Sequence, residues 1–416
     1  MHFREGVHLA FVQIRTEKLK SFFSLFGIIV GVMFLIVVVS IVEGMDRYIR
    51  EDFSAQISGV NTLTLRRWSD QIIEMGSESI DWRERRRRPR ITLSDYTLLR
   101  SELAGDGIAV GAVANASGSV VGDNGNEANG VTILGATSEI FEIRGWVIER
   151  GRPFSRQEDQ SGAAVAVIGT QTAEVIFEGL DPLGRSIRVN GVPYRVIGVI
   201  EEQGSVFGQS LDNRFFAPIR SPLRTRTGPR APISEVIVKV PDPAMIGEVR
   251  ARMEGILRAD RRLRPAEDEN FAIDTADDVL GAWDTISAVL FAALPGLVAI
   301  SLVVGGIVIM NIMLVSVMQR TREIGVRKAL GARRRDILTQ VMIESATLST
   351  IGAFGGVGVG IGLTMLIGAL TPMPAAVDIL WVSVGILLGL AVGMTAGVYP
   401  AYRASAMNPV DALRHE

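Results

Sequence analysis

Four stretches of this 416-residue chain carry no charged side chain over bilayer-crossing lengths: 21–42, 285–319, 345–377 and 379–402. A hydrocarbon core about 30 Å thick needs roughly 20 apolar residues in an α-helix. Each stretch clears that length, so four transmembrane α-helices are expected. The large remaining piece, about 43–284, is polar and rich in turn residues, and reads as a soluble domain between the first and second helices. The mean hydropathy of +0.29 averages these two populations. The first run spans 22 residues and no A-x-A pattern follows it. It is longer than the roughly 7–15-residue core of a secretory signal, so it reads as an anchor.

Charge sets the topology. The first 20 residues carry Arg4, Arg15, Lys18 and Lys20; residues 320–335 carry seven bases and one acid, Glu323. The link 371–378 has Asp378 and no base, and the tail adds Arg403 and Arg414. Short basic loops mark the cytoplasmic side. Both termini and 320–335 are then expected in the cytoplasm, with 371–378 and the large domain outside the inner membrane. The run Trp82–Arg90 holds six arginines on the outer side. Long loops translocate largely regardless of charge. Its alternatives are a solvated loop and a contact with anionic lipid or an acidic partner.

Composition removes whole classes of function. There is no cysteine, and the three histidines, His2, His8 and His415, sit at the chain ends. Disulfide staples, thiolate metal sites and a histidine-based triad in the large domain are excluded. No metal site and no catalytic residue is expected. The net charge of -2 gives no reason to expect nucleic acid as a partner. A phosphate-binding loop needs Gly-Lys-Ser/Thr. The four lysines are Lys18, Lys20, Lys239 and Lys328, and none follows a glycine. ATP and Mg, if used, belong to another chain.

Residues 3–20 place Val7, Phe11 and Ile14 at helical spacing beside Arg15 and Lys18, as in a helix lying on the bilayer surface. The uncharged run 285–319 makes a helix of about 52 Å, longer than the bilayer core. Its first part is therefore expected to project outward as a stalk, bending near Pro295. Ser186–Ile200 reads as a hairpin turning at Asn190-Gly191. Strand-like runs at 131–135, 163–168 and 234–240 alternate with helical patterns at 94–103, 170–178 and 244–258. An α+β domain of two lobes follows.

Between two membrane helices lies Gln319-Arg-Thr-Arg-Glu-Ile-Gly-Val-Arg-Lys-Ala-Leu-Gly-Ala332. Glu323 and Arg327 stand four apart with the acid first, Ala329 and Leu330 add apolar surface, and Gly331 suits a left-handed cap. A short amphipathic helix of this kind fits a groove on another protein. An ordinary basic loop obeying the charge rule is the plainer reading. Gly352, Gly356 and Gly360 repeat every four residues inside an uncharged span, the pattern of close-packed membrane helices rather than a nucleotide loop. Asn311, an amide within its own span, suits a hydrogen bond across a helix interface. Glu344 and Asp378 lie at span ends and are expected at the interface.

The segment Arg320–Ala332 resembles the signature of the MacB/FtsX-type ABC-transporter permeases. So do Leu302–Val317 before it, Leu25–Val32 with Glu43-Gly44, and Pro400-Ala401 with Asn408–Leu413. In the large domain, Arg144-Gly-Trp146, Gly151-Arg152, Phe154 and Asp181-Pro-Leu-Gly184 with Asn190-Gly191 are similar to the MacB periplasmic core. The resemblance implies a permease paired with a second permease copy, homodimer or sister chain, on two ABC ATPase subunits. Residues 320–335 would hold a cytoplasmic coupling helix, with Arg322, Glu323, Ile324, Gly325, Arg327, Lys328, Ala329, Leu330, Gly331 and Ala332 docking on the ATPase. MacB fuses its ATPase ahead of the permease; this chain begins at the surface helix, so a separate ATPase polypeptide is expected.

The expected order is a surface helix over 1–20, a first span over 21–42 and the outer domain over 43–284. A second span with its stalk covers 285–319, the coupling helix 320–335, a third span 336–370, an outer link 371–378, a fourth span 379–402 and a tail 403–416. Export or extraction of amphiphiles (drugs, peptides or lipids) is the first functional expectation, with a periplasmic membrane-fusion adaptor and an outer-membrane channel as further partners. An FtsX-like signalling module driving a cell-wall hydrolase, and Lol-like lipoprotein release, are the alternatives.

Overall fold

A computed structural model describes residues 18–50, 61–69, 87–105, 107–206, 209–222, 233–371, 375–409 and 412. The surface helix expected at 3–20 and the basic residues Arg83–Arg86 fall outside that set, apart from residues 18–20. Two compact units emerge, one built from 1–47 with 287–416 and the other from 48–286.

The chain enters through α1 (Lys18–Tyr48). The second unit then lays down β1 (Thr62–Arg66), α2 (Leu93–Glu102), β2 (Ala109–Gly122), β3 (Glu127–Ala136), α3 (Ile140–Arg144) and β4 (Ile148–Gly151). Next come α4 (Arg156–Ser161), β5 (Val165–Ile168), α5 (Thr170–Phe177), β6 (Ser186–Val189) and β7 (Val192–Ile200). It closes with β8 (Ser205–Val206), β9 (Gln209–Ser210), β10 (Arg214–Pro218), β11 (Glu235–Lys239), α6 (Ile246–Asp260) and β12 (Ala272–Thr275).

The hairpin at Asn190-Gly191 is present: Val189 faces Val192 across the turn, and both turn residues have positive φ, 49° and 78°. Thr92 starts α2 through a capping box with Asp95. Two lobes were expected; the apolar cluster around β1, β11, β12, α2 and α6 is separate from that around β5, β6, β7 and β10, and one sheet joins them. One ten-stranded sheet has the order β12-β1-β11-β2-β3-β10-β5-β7-β4, with β6 bridging β2 and β7, and β8 and β9 pair apart from it. The link is the 14-residue β2, whose length exceeds any strand-like run legible in the sequence. Both faces of the sheet are covered. In β5, Ala166 and Ile168 enter one apolar cluster while Val165 and Val167 enter another. Phe215 and Phe216 divide the same way, as the two-residue period of a strand requires. α2 and α6 bury Tyr96, Leu99, Val249, Met253 and Leu257 against Leu63, Leu65, Val236 and Val238.

The other unit is helical. α7 runs unbroken over Ala276–Gln319 with Pro295 inside it. It is followed by α8 (Thr321–Ala329), α9 (Arg334–Leu370) and α10 (Ile379–Ala406). α1, α7, α9 and α10 are each long and apolar enough to cross a membrane. Little of that apolar surface is covered by the chain itself, only 17% of the α10 window being buried. Ile300, Leu370 and Ile379 stand 66%, 76% and 81% exposed. So much bare aliphatic surface is stable in lipid and not in water.

Candidate functional site

α8 carries the sequence motif singled out above, and its two faces differ. The inner face is held on three sides. Arg320, just before α8, donates to Glu344 Oε1 of α9 at 3.2 Å. Arg327 donates to Gln340 Oε1 of α9 at 2.8 Å. Lys328 Nζ donates to the carbonyls of Ser405 at 2.5 Å and Met407 at 2.6 Å, at the carboxyl end of α10. Ser405 lies in the last turn of α10 and Met407 is its C-cap, so the ammonium sits at the negative end of the helix dipole. Partial burial, and next the charge of Arg334, hold the Lys328 ammonium below the usual lysine range. Ile324 is buried in a cluster with Val317, Ile337 and Val341.

Gly325 explains itself in this setting. A Cβ built on it would stand 2.7 Å from the Ala412 Cβ, so only glycine lets the tail lie this close. Two motifs some 85 residues apart, around Gly325 and Asn408–Ala412, therefore meet. Beside them Ser316, Arg320, Glu323, Arg327, Gln340 and Glu344 line a cavity of about 40 Å³. The Glu344 side chain is only 5% exposed. It was expected at a span end as an interfacial residue; the Arg320 guanidinium is what permits its burial. Asp378 caps α10 by accepting from the Leu380 N–H at 2.9 Å.

The outer face of α8 presents Arg322, Glu323, Val326, Ala329 and Leu330, the last 84% exposed. Gly331, at φ +99°, ends the helix: its N–H reaches the Lys328 carbonyl, and the Ala332 N–H reaches that of Arg327. Of the ten residues expected to dock, Ile324, Gly325, Arg327 and Lys328 thus face the protein's own helices, and Ala332 is partly buried against them. Arg327 reaches Gln340 rather than Glu323.

The glycine stripe lies on α9 against α1. A Cβ on Gly356 would come within 2.8 Å of the Ile29 carbonyl; Gly352 faces Ile28 and Gly360 faces Ile36. A second stripe on α10, Gly385, Gly389, Gly393 and Gly397, was missed, although its four-residue spacing is equally plain in the sequence. Gly393 and Gly397 lie on Ser349 and Ser345 of α9, and Gly389 on Ala353. α1 and α7 cross at Gly27 and Gly305, where an added Cβ would meet backbone at 2.5 Å. Asn311 is exposed on α7. Among the described residues no group of three or more His, Asp or Glu side chains could hold a metal ion.

The family model of the MacB-like periplasmic core domain matches residues 21–256, more than half of the chain. The chain belongs to the MacB/FtsX-type ABC-transporter permeases. The model of the FtsX-like permease C-terminal region matches residues 296–409, which include all of α8. The macrolide export ATP-binding/permease protein MacB of Bdellovibrio bacteriovorus is 33% identical over 99% of this chain and 62% of its own length. The chain spans about three fifths of the length of such MacB relatives. The ABC transporter permease YknZ of Bacillus subtilis is 28% identical over the full length of both chains. The crystal structure of the periplasmic region of MacB from Actinobacillus actinomycetemcomitans aligns at 21% identity with a TM-score of 0.43, covering 56% of this chain and 95% of that one. As a MacB/FtsX-type permease, the chain is a membrane protein whose sheet unit corresponds to the periplasmic core of its relatives.

Proposed function

We propose that this permease couples ATP hydrolysis on a separate ABC ATPase subunit to motion of its outer domain, which moves amphiphilic substrates out of the membrane or periplasm. The chain crosses the membrane four times, with both termini and α8 in the cytoplasm and the sheet unit outside. Two copies, or this chain and a sister permease, assemble on two ATPase subunits that bind ATP and Mg; an adaptor and an outer-membrane channel extend the path. The chain itself contributes no hydrolytic chemistry.

The observation that carries this reading is the two-faced α8. A short helix tied down on its inner side, yet offering Val326, Ala329 and an almost bare Leu330, has the form of a docking knob. Glu323 beside it is the one acid among seven bases of the segment and supplies a charge-specific contact. The FtsX-like match keeps the signalling alternative in view, whereas the large sheet domain with its MacB-like core favours transport.

Leu330→Asp and Glu323→Lys test it. Both variants should insert normally and lose co-purification with the partner ATPase, together with ATP-driven transport. Wild-type association and transport in both would leave α8 as a charge cluster with only a topological role.

A further inference from the structure

We propose that Lys328 is a positioning residue: it straps α8 to the end of α10, so that force taken up by α8 reaches α10 as well as α9. The proposal rests on the docking reading above and names the route that follows it.

The bases of this segment divide into two sets. Arg322, Arg333, Arg334 and Arg335 are exposed, as charges that fix topology would be. Arg320, Arg327 and Lys328 instead spend their hydrogen bonds inside the helical unit. The two arginines bind α9, which already follows α8 after a link of four residues, 330–333. Any displacement of α8 pulls α9 through the covalent chain. α10 has no such link. It is joined to α8 through Lys328, whose partners Ser405 and Met407 lie 77 and 79 residues away in sequence. Beside it stand the contact of Gly325 with Ala412 and the apolar cluster that Ile324 shares with Ala401 and Ala404, neither of them directional.

The chemistry suits a strap. An ammonium on two carbonyls is a charge-assisted bond that does not need a matching carboxylate, and it adds to the favourable field at a helix carboxyl end. It is also directional: pulling α8 away would leave the last carbonyls of α10 and a cation without partners, so the two move together.

The test uses the full chain with its partner ATPase in lipid nanodiscs. The chain has no cysteine, so Ile379→Cys at the first turn of α10 takes a single environment-sensitive fluorophore. On this background ATP should shift the fluorescence. Lys328→Met should keep the ATPase bound and reduce the shift about tenfold, the scale of one lost charge-assisted hydrogen bond. Lys328→Arg should restore it, and Arg335→Met, which removes an exposed charge of the same segment without touching the strap, should leave it intact. If Lys328→Met fails to insert, Lys328→Gln carries the same comparison. A full shift in Lys328→Met, or an equal loss in Arg335→Met, overturns the strap alone. No ATP-dependent shift with the ATPase bound and Lys328 intact would overturn the coupling reading, and the strap with it.

Discussion

Gly325 of α8 and Ala412 of the tail approach so closely that a Cβ on the glycine would lie 2.7 Å from that of the alanine. The pair locks the tail onto the inner face of α8. Gly325→Val therefore has to push the tail away or tilt α8. We expect the variant to insert, because its charges are unchanged, and to lose ATP-driven transport by more than Ala412→Gly, which only leaves a gap. Equal, near-normal transport in both would show that the contact is incidental.

The glycine stripes make a graded prediction. On α9, Gly356 has no room for a Cβ, whereas Gly358 has nothing within 4 Å of the place a Cβ would take. Overpacking costs about 1–3 kcal/mol where backbone must move. Gly356→Ala and Gly393→Ala should lower the melting temperature in detergent, and Gly358→Ala should not. The stripe of α9 packs against α1 of the same chain, so this loss belongs to the subunit itself and not to its assembly. Thermal unfolding at several protein concentrations separates the two.

Much of this was legible beforehand. The four long apolar helices, the hairpin at Asn190-Gly191 and the cap at Thr92 are local: their causes lie within a few neighbouring residues. What could not be read is non-local. Nothing near Lys328 in sequence points to Ser405, and nothing near Glu344 points to Arg320. The continuity of the sheet through β2 was hidden for the same reason. A strand such as β2, poor in bulky β-branched residues at Ala114–Gly118, is recruited by its partners on either side rather than by its own composition.

Asp159 gives the sheet unit a pH dependence. Its side chain is 3% exposed, 3.6 Å from Arg220, with Glu139 and Arg100 close by. Glu139 is itself bridged by Arg100 and Arg156, and Tyr96 accepts from Arg100. Burial pushes the Asp159 carboxyl up to about 6, against the pull of Arg220. Unfolded, it titrates near about 3.9. A raised folded value means that the stabilising contribution is complete below that unfolded value and is lost as pH rises through about 6. The melting temperature of Asp159→Asn relative to wild type should therefore climb over this window. A pH-independent difference would place the charge elsewhere.

The four-crossing arrangement is open to direct labelling. Ser155→Cys, on the exposed cap of α4, and Arg322→Cys, on the outer face of α8, should react with an impermeant maleimide from opposite sides of the membrane. Reaction of both in intact spheroplasts would refute that topology.

The sheet also dictates an order of biogenesis. Leu63, in the first strand to be made, pairs with Val238 of β11 and Thr275 of β12, among the last. β1 cannot find either neighbour until nearly the whole unit has been synthesised, and such long-range pairing is slow. β12 runs straight into α7 at Ala276, so the ribosome releases the strand that completes the sheet immediately before the next hydrophobic segment. The sheet unit is thereby complete before three of the four long apolar helices have been made.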